Sequence, residues 1–308
     1  MEEIGLKTVS LFSGAGGMDL GFIKAGFDII WANDLDKYAV ESYRKNMGNI
    51  VHGDIAEHFE MVPDHDVLIA GFPCQPFSMM GNQKGFEDER GTLFFIIQKI
   101  IEKKCPNVIV LENVKNLLTH DKGITFKKIK NILENELGYK IYAEILNSAD
   151  YGVPHTRRRA FIVGFKNHDV VFNYPKKIPL NLKLQDILEK NVPAKYFLSD
   201  KMRKIVMDGG TKNYISHPEI DLEIARPLCA TMHKMHRASQ DNYVTENGKI
   251  RRLTPRECAR LQGFPEDFRI EVSDTQAYRQ FGNAVTVNVA HHVGNEIKSA
   301  MTRLNVKK

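Results

Sequence analysis

Short apolar runs alternate with amphipathic stretches along the first half of the chain, and most runs stop at glycine, proline or acidic residues. Alternation of apolar runs with helical spacing favours an α/β domain built on an open sheet. In such sheets, ligands bind at the carboxyl ends of the strands. Buried strands are predicted at residues 7–12, 28–32, 67–69, 107–111, 141–146 and 160–165.

A glycine turn at residues 13–17 follows the first predicted strand and opens a helix that we expect to reach about Ala25. Such a turn lets the backbone approach a ligand closely and aims helix N–H groups at it. The spacing departs from the dinucleotide-binding pattern, because Asp19 takes the place of its third glycine. A purely structural tight turn explains the glycines equally well at this point.

Acidic residues follow the predicted strand at residues 28–32 and a further short strand, the third along the chain, that is predicted just before Gly53. Asp34 and Asp36 come about twenty residues after the glycines, where a carboxylate is well placed to bind ribose hydroxyls. The alternative is that one of them caps the next helix, a role that suits Asp36 better. Asp54 follows the third strand and is suited to the exocyclic amine of a cofactor.

A stiff turn with a single cysteine follows the apolar run at residues 67–69. Pro73 and Pro76 bracket Cys74 and restrict the backbone on both sides. This position is typical of a nucleophile, although a small buried hydrophobe is the open alternative for a lone cysteine. Residues 78–92 are too polar for a core and too long for a simple connection, which predicts a mobile functional loop.

Two further predicted strands carry charge at one end. Glu112 follows the run at residues 107–111, and three successive arginines precede the strand at residues 160–165. Strand alternation would point Arg157 and Arg159 one way and Arg158 the other. Adjacent arginines are unfavourable unless they meet anions, and a solvated basic turn is an equally open interpretation.

Periodicity fades after residue 166 and prolines interrupt the chain, so a smaller and less regular lobe is predicted up to about Arg252. Residues 231–242 are rich in side chains that contact phosphates and base edges. An ordinary surface loop is the alternative for them. Thr254 and Glu257 form a capping box, with a proline between them, that predicts a new helix.

Composition narrows the class of protein. The 308 residues, 43% hydrophobic and 26% charged, predict an ordered globular chain with more than one lobe. The net charge of +5 is mild, but eight Lys/Arg face three Asp/Glu between Arg226 and Arg260. Four scattered cysteines argue against a disulfide framework and a structural zinc site. No apolar run is long enough for a membrane span, so we expect a cytoplasmic protein.

Six motifs in a fixed order give the chain its resemblance to the DNA (cytosine-5)-methyltransferases of bacterial restriction–modification systems. Each motif alone is modest, but the six together, with Cys74 inside a Pro-Cys-Gln element, are highly specific. They cover nearly the whole chain outside the small lobe, at residues 11–17, 71–78, 112–114, 157–159, 252–260 and 280–285.

The resemblance implies a Rossmann-like S-adenosylmethionine-dependent methyltransferase sheet and a second, smaller, irregular β-rich target-recognition domain. Its implied divisions are a catalytic and cofactor-binding domain at 1–187, a target-recognition domain at 188–254, a hinge at 255–282, and a C-terminal part at 283–308 that returns to the catalytic domain.

The family mechanism implies a role for each catalytic candidate. The thiolate of Cys74 would add to C6 of cytosine, and its pKa, near ~8.5 when unperturbed, must be lowered by nearby positive charge or helix N–H groups. Protonated Glu112 would donate to N3, which requires a carboxyl pKa raised by a low-dielectric pocket. Arg159 would hold the cytosine O2, and Arg157 would support the loop and the substrate backbone.

S-adenosylmethionine is the implied cofactor, with S-adenosylhomocysteine as product and no metal. Family members often have glutamate where Asp34 stands and tryptophan where Leu35 stands, so ribose binding is expected and stacking by residue 35 is lost. The implied contacts are Phe12 on the adenine, Gly14 and Gly16 at the backbone approach, Asp34 at the ribose, Asp54 and Ile55 at the adenine edge, and Pro73, Leu93, Asn283 and Val285 at the methionine end. Leu35 is also expected to bind the cofactor, but without stacking on it.

Duplex DNA is the implied partner, and the target base must be flipped out to reach Cys74. The family's usual Thr-Leu pair appears as Pro227-Leu228, and His155 replaces a common glutamine, which leaves those two contacts open. A monomer in a bacterial or phage-infected cell, with a paired endonuclease that forms no stable complex, is also implied. The expected DNA contacts are Ser78, Gln83 and Arg90 in the loop, and Lys234, Arg237, Gln240 and Asn242 in the small lobe.

Three other functions compete with this interpretation. A tRNA cytosine-5 methyltransferase would share the catalytic lobe, but such relatives typically carry a Cys-Phe-Thr element that this sequence lacks. A nicotinamide-dependent oxidoreductase conflicts with the glycine spacing and the Pro-Cys-Gln element. A non-catalytic DNA-binding regulator would not need the cysteine, glutamate and arginine set intact.

Overall fold

The protein is described by a computed structural model that covers residues 5–73, 92–207, 210–211, 214–215, 218–234 and 236–305. The chain divides into two compact units. The sheet unit consists of Met1–Leu146, Arg158–Lys176 and Val289–Lys308, and the second unit consists of Asn147–Arg157 and Lys177–Asn288. These divisions differ from the sequence boundaries, because residues 147–157 and 177–187 join the second unit and so does the segment expected as a hinge. The functional assignment of the units stays a prediction.

The sheet unit is built on seven strands. Their bounds are β1 Leu6–Leu11, β2 Phe27–Asp34, β3 Val51–His52, β4 Val67–Gly71, β5 Val108–Val114, β6 Lys140–Asn147 and β7 Arg158–Phe165. The spatial order is β3-β2-β1-β4-β5-β7-β6. Neighbours from β3 to β5 pair in parallel, whereas β7 runs antiparallel to β5. The expected Rossmann-like methyltransferase sheet is confirmed.

Helices follow the strands, as the alternating pattern predicts. Their bounds are α1 Gly17–Lys24, α2 Lys37–Asn46, α3 Ile55–His58, α4 Thr92–Lys104, α5 Ile124–Asn131, α6 Asp200–Met207, α7 Pro255–Leu261, α8 Asp274–Asn283 and α9 Val287–Asn305. A π-helical turn, Ile132–Glu136, extends α5. Within the described part of the chain, no helix is both long enough and apolar enough to cross a membrane.

The central strands of the sheet are buried on both faces. Residues 67–70 of β4 and 108–111 of β5 are fully inaccessible to solvent, as expected for parallel strands covered by helices. Ile97 and Ile101 of α4 and Ile129 of α5 pack in the same apolar cluster as these strands. The sheet is therefore held mainly by apolar burial, and polar groups are displaced towards its edges.

The second unit has little regular structure. The strands among its described residues form two antiparallel pairs, β8 Gly210–Thr211 with β9 Tyr214–Ile215, and β10 Tyr243–Glu246 with β11 Lys249–Arg252. The 3-10 helices described in this unit are Ser148–Tyr151, Leu184–Ile187 and Ala194–Tyr196. Those described in the sheet unit are Phe59–Met61, Lys115–Leu118 and His120–Gly123.

The capping box at the start of α7 is confirmed. Thr254 Oγ1 accepts the N–H of Glu257 at 3.2 Å, and the Glu257 carboxylate accepts the N–H of Thr254 at 2.8 Å. The same carboxylate takes two parallel hydrogen bonds from Arg251, at 2.8 and 2.9 Å, and one from the N–H of Glu189 at 2.8 Å. Because Arg251 and Glu257 are both buried, a charged pair forms part of the interior of this unit.

Candidate active site

Parallel pairing brings the carboxyl ends of four strands to one edge of the sheet. Leu11 of β1 lies opposite Asn33 of β2 and Ala70 of β4, and Gly71 of β4 lies opposite Glu112 of β5. The turns that follow these strands are consequently neighbours. This is the edge at which open α/β sheets bind ligands, and the motifs singled out in the sequence meet there.

The glycine turn after β1 exposes its backbone to open space. Phe12 and Gly14 have φ angles of 57° and 58°, in the left-handed region that non-glycine residues rarely adopt. A Cβ built on Gly14 would meet no atom of the described residues within 4 Å. The N–H of Gly14 donates to Asp34 Oδ2 at 2.7 Å, which joins the turn to the end of β2. An open backbone beside a carboxylate fits a cofactor with a ribose.

Gly16 has a different reason to be glycine. A Cβ at this position would lie 2.1 Å from Met47 Sδ and 3.3 Å from a ring carbon of Tyr43. The φ of Gly16, 88°, lies in the left-handed region that favours glycine, and a side chain there would also have to displace Met47. A contact between the Gly16 backbone and the cofactor stays a prediction.

The two acids after β2 have separate roles. Asp36 caps α2, since its Oδ1 accepts the N–H groups of Tyr38 and Ala39 at 2.9 and 3.2 Å. Asp34 instead accepts from Gly14 and, at 2.8 Å, from the N–H of Asp36. Burial raises the pKa of the Asp34 carboxyl, and these two N–H groups oppose the rise. Leu35 between them is 65% exposed, so it is available to a ligand.

The residues expected at the adenine edge and the methionine end are placed as follows. Asp54 Oδ1 accepts the N–H of Ala56 at 2.9 Å and caps α3. Ile55 is buried in the apolar core, so a cofactor contact would have to use its backbone. Pro73 is exposed, and Leu93 is partly buried against the same core.

Glu112 and Arg159 meet at the same edge because β7 runs in reverse. Antiparallel pairing sets Arg159, at the start of β7, opposite Val114, at the end of β5. Arg159 Nε lies 3.2 Å from Glu112 Oε1, and the Glu112 side chain is almost fully buried. The structure thus joins the two residues that the sequence predicted to contact one pyrimidine ring. Cys74 and the loop residues Ser78, Gln83 and Arg90 lie outside the described residues.

Two asparagines that sequence reasoning passed over support this edge. Asn113 donates to the carbonyl of Phe72 at 2.9 Å and so ties β5 to the turn that leads to Cys74. Asn33 donates to the carbonyls of Val51 and Gly53 at 3.1 and 3.0 Å, next to Asp54. The available signal was an amide side chain at the end of an apolar strand, but its partners lie on other strands.

Arg157 belongs to the second unit and is almost fully buried. It donates to the carbonyls of Leu228 at 3.2 Å, Gly282 at 3.1 Å and Asn283 at 3.3 Å. These bonds make it a positioning residue, and a direct contact with substrate stays a prediction. Asn283 is exposed and Val285 is buried, both in the second unit, so their meeting with the cofactor residues of the sheet unit also stays a prediction.

The DNA-reading candidates of the second unit differ in exposure. Lys234 and Gln240 are exposed, and half-buried Arg237 donates to Gln240 Oε1 at 3.1 Å. Asn242 differs from these three residues. It is buried, its Oδ1 accepts the N–H of Arg226 at 2.8 Å, and its Nδ2 donates to the Arg226 carbonyl at 3.0 Å. Its amide thus binds the backbone of Arg226, and its expected contact with DNA stays a prediction.

Comparison with known proteins identifies the family of the chain. The family model for C-5 cytosine-specific DNA methylases matches residues 6–299. The chain belongs to this family. The resemblance carried by the six motifs is confirmed, and the family's members are S-adenosylmethionine-dependent DNA cytosine-5-methyltransferases.

Full-length relatives agree with the assignment. The methylase is 42% identical to the Type II methyltransferase M.NlaX of Neisseria lactamica, over 98% of this chain and 99% of the relative. It is 38% identical to the Type II methyltransferase M.HhaI of Haemophilus parahaemolyticus, over 96% and 95%. Among solved structures, S. pombe Dnmt2 methyltransferase has a TM-score of 0.80 at 23% identity, covering 97% of this chain and 99% of that one, which supports the fold.

Membership of the family excludes the oxidoreductase and the non-catalytic regulator as functions of the methylase. Its described residues contain no group of three or more His, Cys, Asp or Glu side chains that could hold a metal ion.

Proposed function

We propose that the chain methylates C5 of a flipped-out cytosine within a specific duplex DNA sequence, as the modification half of a restriction–modification system. The observation that carries this proposal is the meeting of Glu112 and Arg159 at the carboxyl edge of the sheet. Gly71, paired with Glu112, begins the turn that leads to Cys74. The Type II relatives support the biological setting.

The cofactor would be held by the residues around the glycine turn. Gly14 offers an open backbone and Asp34 a partly buried carboxylate, and Asn33 fixes the turn that carries Asp54. When bound, S-adenosylmethionine supplies an electrophilic methyl group on a sulfonium centre. Phe12 lies beside this turn, half-buried, in the position proposed for stacking on the adenine.

Cys74 and Glu112 would act together on the pyrimidine ring. The thiolate of Cys74 forms a bond to C6, and the electron pair of the C5–C6 double bond becomes available at C5. Glu112 donates a proton towards N3, where negative charge develops, and Arg159 donates to O2. C5 would then bond to the methyl group as the bond from that methyl group to the sulfonium sulfur breaks, with S-adenosylhomocysteine as the leaving group. A base takes the proton from C5, the C5–C6 double bond re-forms as Cys74 leaves as a thiolate, and N3 returns its proton to Glu112. A water molecule is the proposed base.

A target cytosine in duplex DNA must be flipped out of the helix before it can reach Cys74. Extruding the target base costs a few kcal/mol, which contacts elsewhere in the complex have to offset. We propose that the loop at residues 78–92 closes over the extruded base and that the second unit reads the surrounding sequence. A monomer that acts in the cytoplasm, with an endonuclease that recognises the same site without binding it stably, completes the proposal.

The first experiment compares two cysteine variants on duplex DNA. Cys74→Ser is expected to reduce tritium-methyl transfer below detection, because a hydroxyl is a far weaker nucleophile than a thiolate at neutral pH. Cys105→Ser is the matched control, since Cys105 is exposed and Ser can keep its hydrogen bond to the Glu102 carbonyl. The proposal fails if Cys74→Ser retains substantial transfer.

A second set of experiments identifies the nucleic acid that is methylated and the covalent bond between Cys74 and cytosine. Duplex DNA with 5-fluorocytosine at the target should trap a covalent adduct on Cys74, because fluorine cannot leave as a proton does. Bisulfite sequencing of DNA from cells that express the chain maps the site. A tRNA substrate tested in parallel distinguishes the competing function, and methylation of tRNA alone would replace the proposal.

A further inference from the structure

Residues 226–230 of the second unit, which we call the clamped segment, are held from several sides by buried groups. The segment contains Pro227 and Leu228, and it leads directly into residues 231–242 with exposed Lys234 and Gln240. The position of the clamped segment therefore determines the position from which the DNA-reading residues 231–242 continue.

His155 holds the amide of the clamped segment. The N–H of Leu228 donates to His155 Nε2 at 3.1 Å, and the imidazole is fully buried. An accepting Nε2 needs a free lone pair, so the ring is neutral with its proton on Nδ1. Backbone bonds reinforce the contact, since Thr156 N–H donates to the Ala225 carbonyl and Ala225 N–H donates to the Pro154 carbonyl, each at 2.8 Å.

Arg157, two residues after His155, binds the backbone carbonyl of Leu228. Its guanidinium donates to the Leu228 carbonyl at 3.2 Å. Leu228 thus has its N–H bound by His155 and its C=O bound by Arg157, which fixes its backbone in both directions. Both partners are buried, so water does not substitute readily for either bond.

Two further contacts leave the segment little freedom. Asn242 binds both the N–H and the carbonyl of Arg226. A Cβ on Gly282 would lie 2.4 Å from Ala230 N and 2.5 Å from the Cys229 carbonyl carbon, so α8 packs directly on the backbone of the segment. Displacement at Leu228 would therefore be passed on to residues 231–242.

We infer that His155 is a positioning residue for sequence reading: by accepting the Leu228 N–H, it sets the start of the DNA-reading segment. The inference rests on the proposed function, because it assumes that this unit reads duplex DNA. A glutamine at this position would also offer a neutral acceptor, so His155→Gln separates the hydrogen-bond acceptor from the imidazole ring.

The test compares three variants in steady-state methylation of the duplex site mapped by bisulfite sequencing. His155→Leu removes the acceptor and keeps an apolar volume, His155→Gln keeps an acceptor, and His168→Leu is the matched control at an exposed position of the sheet unit. His155→Leu is expected to raise KM for DNA about tenfold, as loss of one buried bond implies, while KM for S-adenosylmethionine stays within about twofold. Discrimination against duplexes with one altered base pair should fall as well.

Amide hydrogen exchange of the protein without DNA or cofactor tests whether His155 holds the clamped segment, independently of methyl transfer. The Leu228 amide should exchange faster in His155→Leu than in the wild type, and His155→Gln should restore both its protection and the KM for DNA. If His155 only stabilised the fold, His155→Leu would lower kcat and thermal stability without raising KM for DNA more than KM for S-adenosylmethionine. That result would overturn the inference.

Failure of the proposed function gives a different result from failure of the inference. If the proposed function is wrong, the wild-type protein will not methylate duplex DNA. Failure of the inference would show as an active wild type beside a His155→Leu variant whose KM for DNA and Leu228 exchange are unchanged.

Discussion

Different interactions stabilise the interior of the sheet unit and the interior of the second unit. Residues 67–70 and 108–111 of the central strands are apolar and fully buried, with reactive groups confined to the carboxyl edge. The second unit buries charged and polar side chains, among them Arg157, Arg251 and Glu257. Apolar burial is non-directional, so the sheet tolerates varied side chains at its edge. Buried polar bonds need specific partners, and the second unit consequently fixes specific backbone positions.

The largest expected effect breaks the charged interior of the second unit. Glu257→Ala leaves buried Arg251 with one partner fewer and removes the acceptor for the N–H groups of Thr254 and Glu189. We expect a loss of about 3–5 kcal/mol in the free energy of unfolding. Urea denaturation followed by circular dichroism measures it.

The matched control for this substitution is Glu266→Ala. Glu266 pairs with Arg260 at 2.7 Å but is 65% exposed, so we expect less than about 1 kcal/mol. A double variant, Arg251→Met with Glu257→Leu, should recover part of the loss because no unpaired charge remains. Equal effects of Glu257→Ala and Glu266→Ala would contradict the comparison between the units.

The next effect tests the apolar interior of the sheet. Leu111→Ala deletes a fully buried side chain of β5 and should lower the free energy of unfolding by about 3 kcal/mol, through lost burial and the cavity left behind. Leu182→Ala, at a 44% exposed position, is the control and should change it by less than about 1 kcal/mol. A small effect of Leu111→Ala would mean that the sheet does not depend on apolar packing.

Asp19 is an exception within the sheet unit and sharpens the comparison. Burial raises the pKa of its carboxyl from 3.8 to about 6, although hydrogen bonds from Ser10 and Tyr43 oppose the rise. Because the folded pKa exceeds the unfolded value, the carboxylate weakens folding as pH rises from about 4 to about 6. Asp19→Asn should therefore stabilise the protein above pH 6, by about 2–3 kcal/mol, and have almost no effect below pH 4.

Denaturation at pH 7.5 and at the lowest pH where the protein stays folded measures this gain. The amide introduced by Asp19→Asn can still accept from the Tyr43 hydroxyl, which donates to Asp19 Oδ1 at 3.0 Å in the wild type. Asp28→Asn serves as the control, because Asp28 is exposed. A gain that persists unchanged into acid would assign the effect to packing rather than to charge.

The sequence predicted the sheet well because its signals are local. Apolar runs mark the strands, and the residues after each strand reach one edge automatically once the strands are parallel. The capping box at Thr254 is equally local. By contrast, His155 and Leu228 lie 73 positions apart, and no pattern in the chain joins them. The burial of Asn242 was not predicted for the same reason, since nothing local in the basic stretch indicates that its partner is the backbone of Arg226.

The three consecutive arginines, residues 157–159, have different fates although they are chemically identical. Arg157 is buried among carbonyls, Arg158 faces solvent, and Arg159 reaches Glu112. Deletion of one arginine, with the pairing of β7 on β5 preserved, would keep arginines at the two positions that enter the strand, but it would place Thr156 where Arg157 now donates to three carbonyls. The loss of one basic residue would therefore affect the interior of the second unit rather than the position beside Glu112.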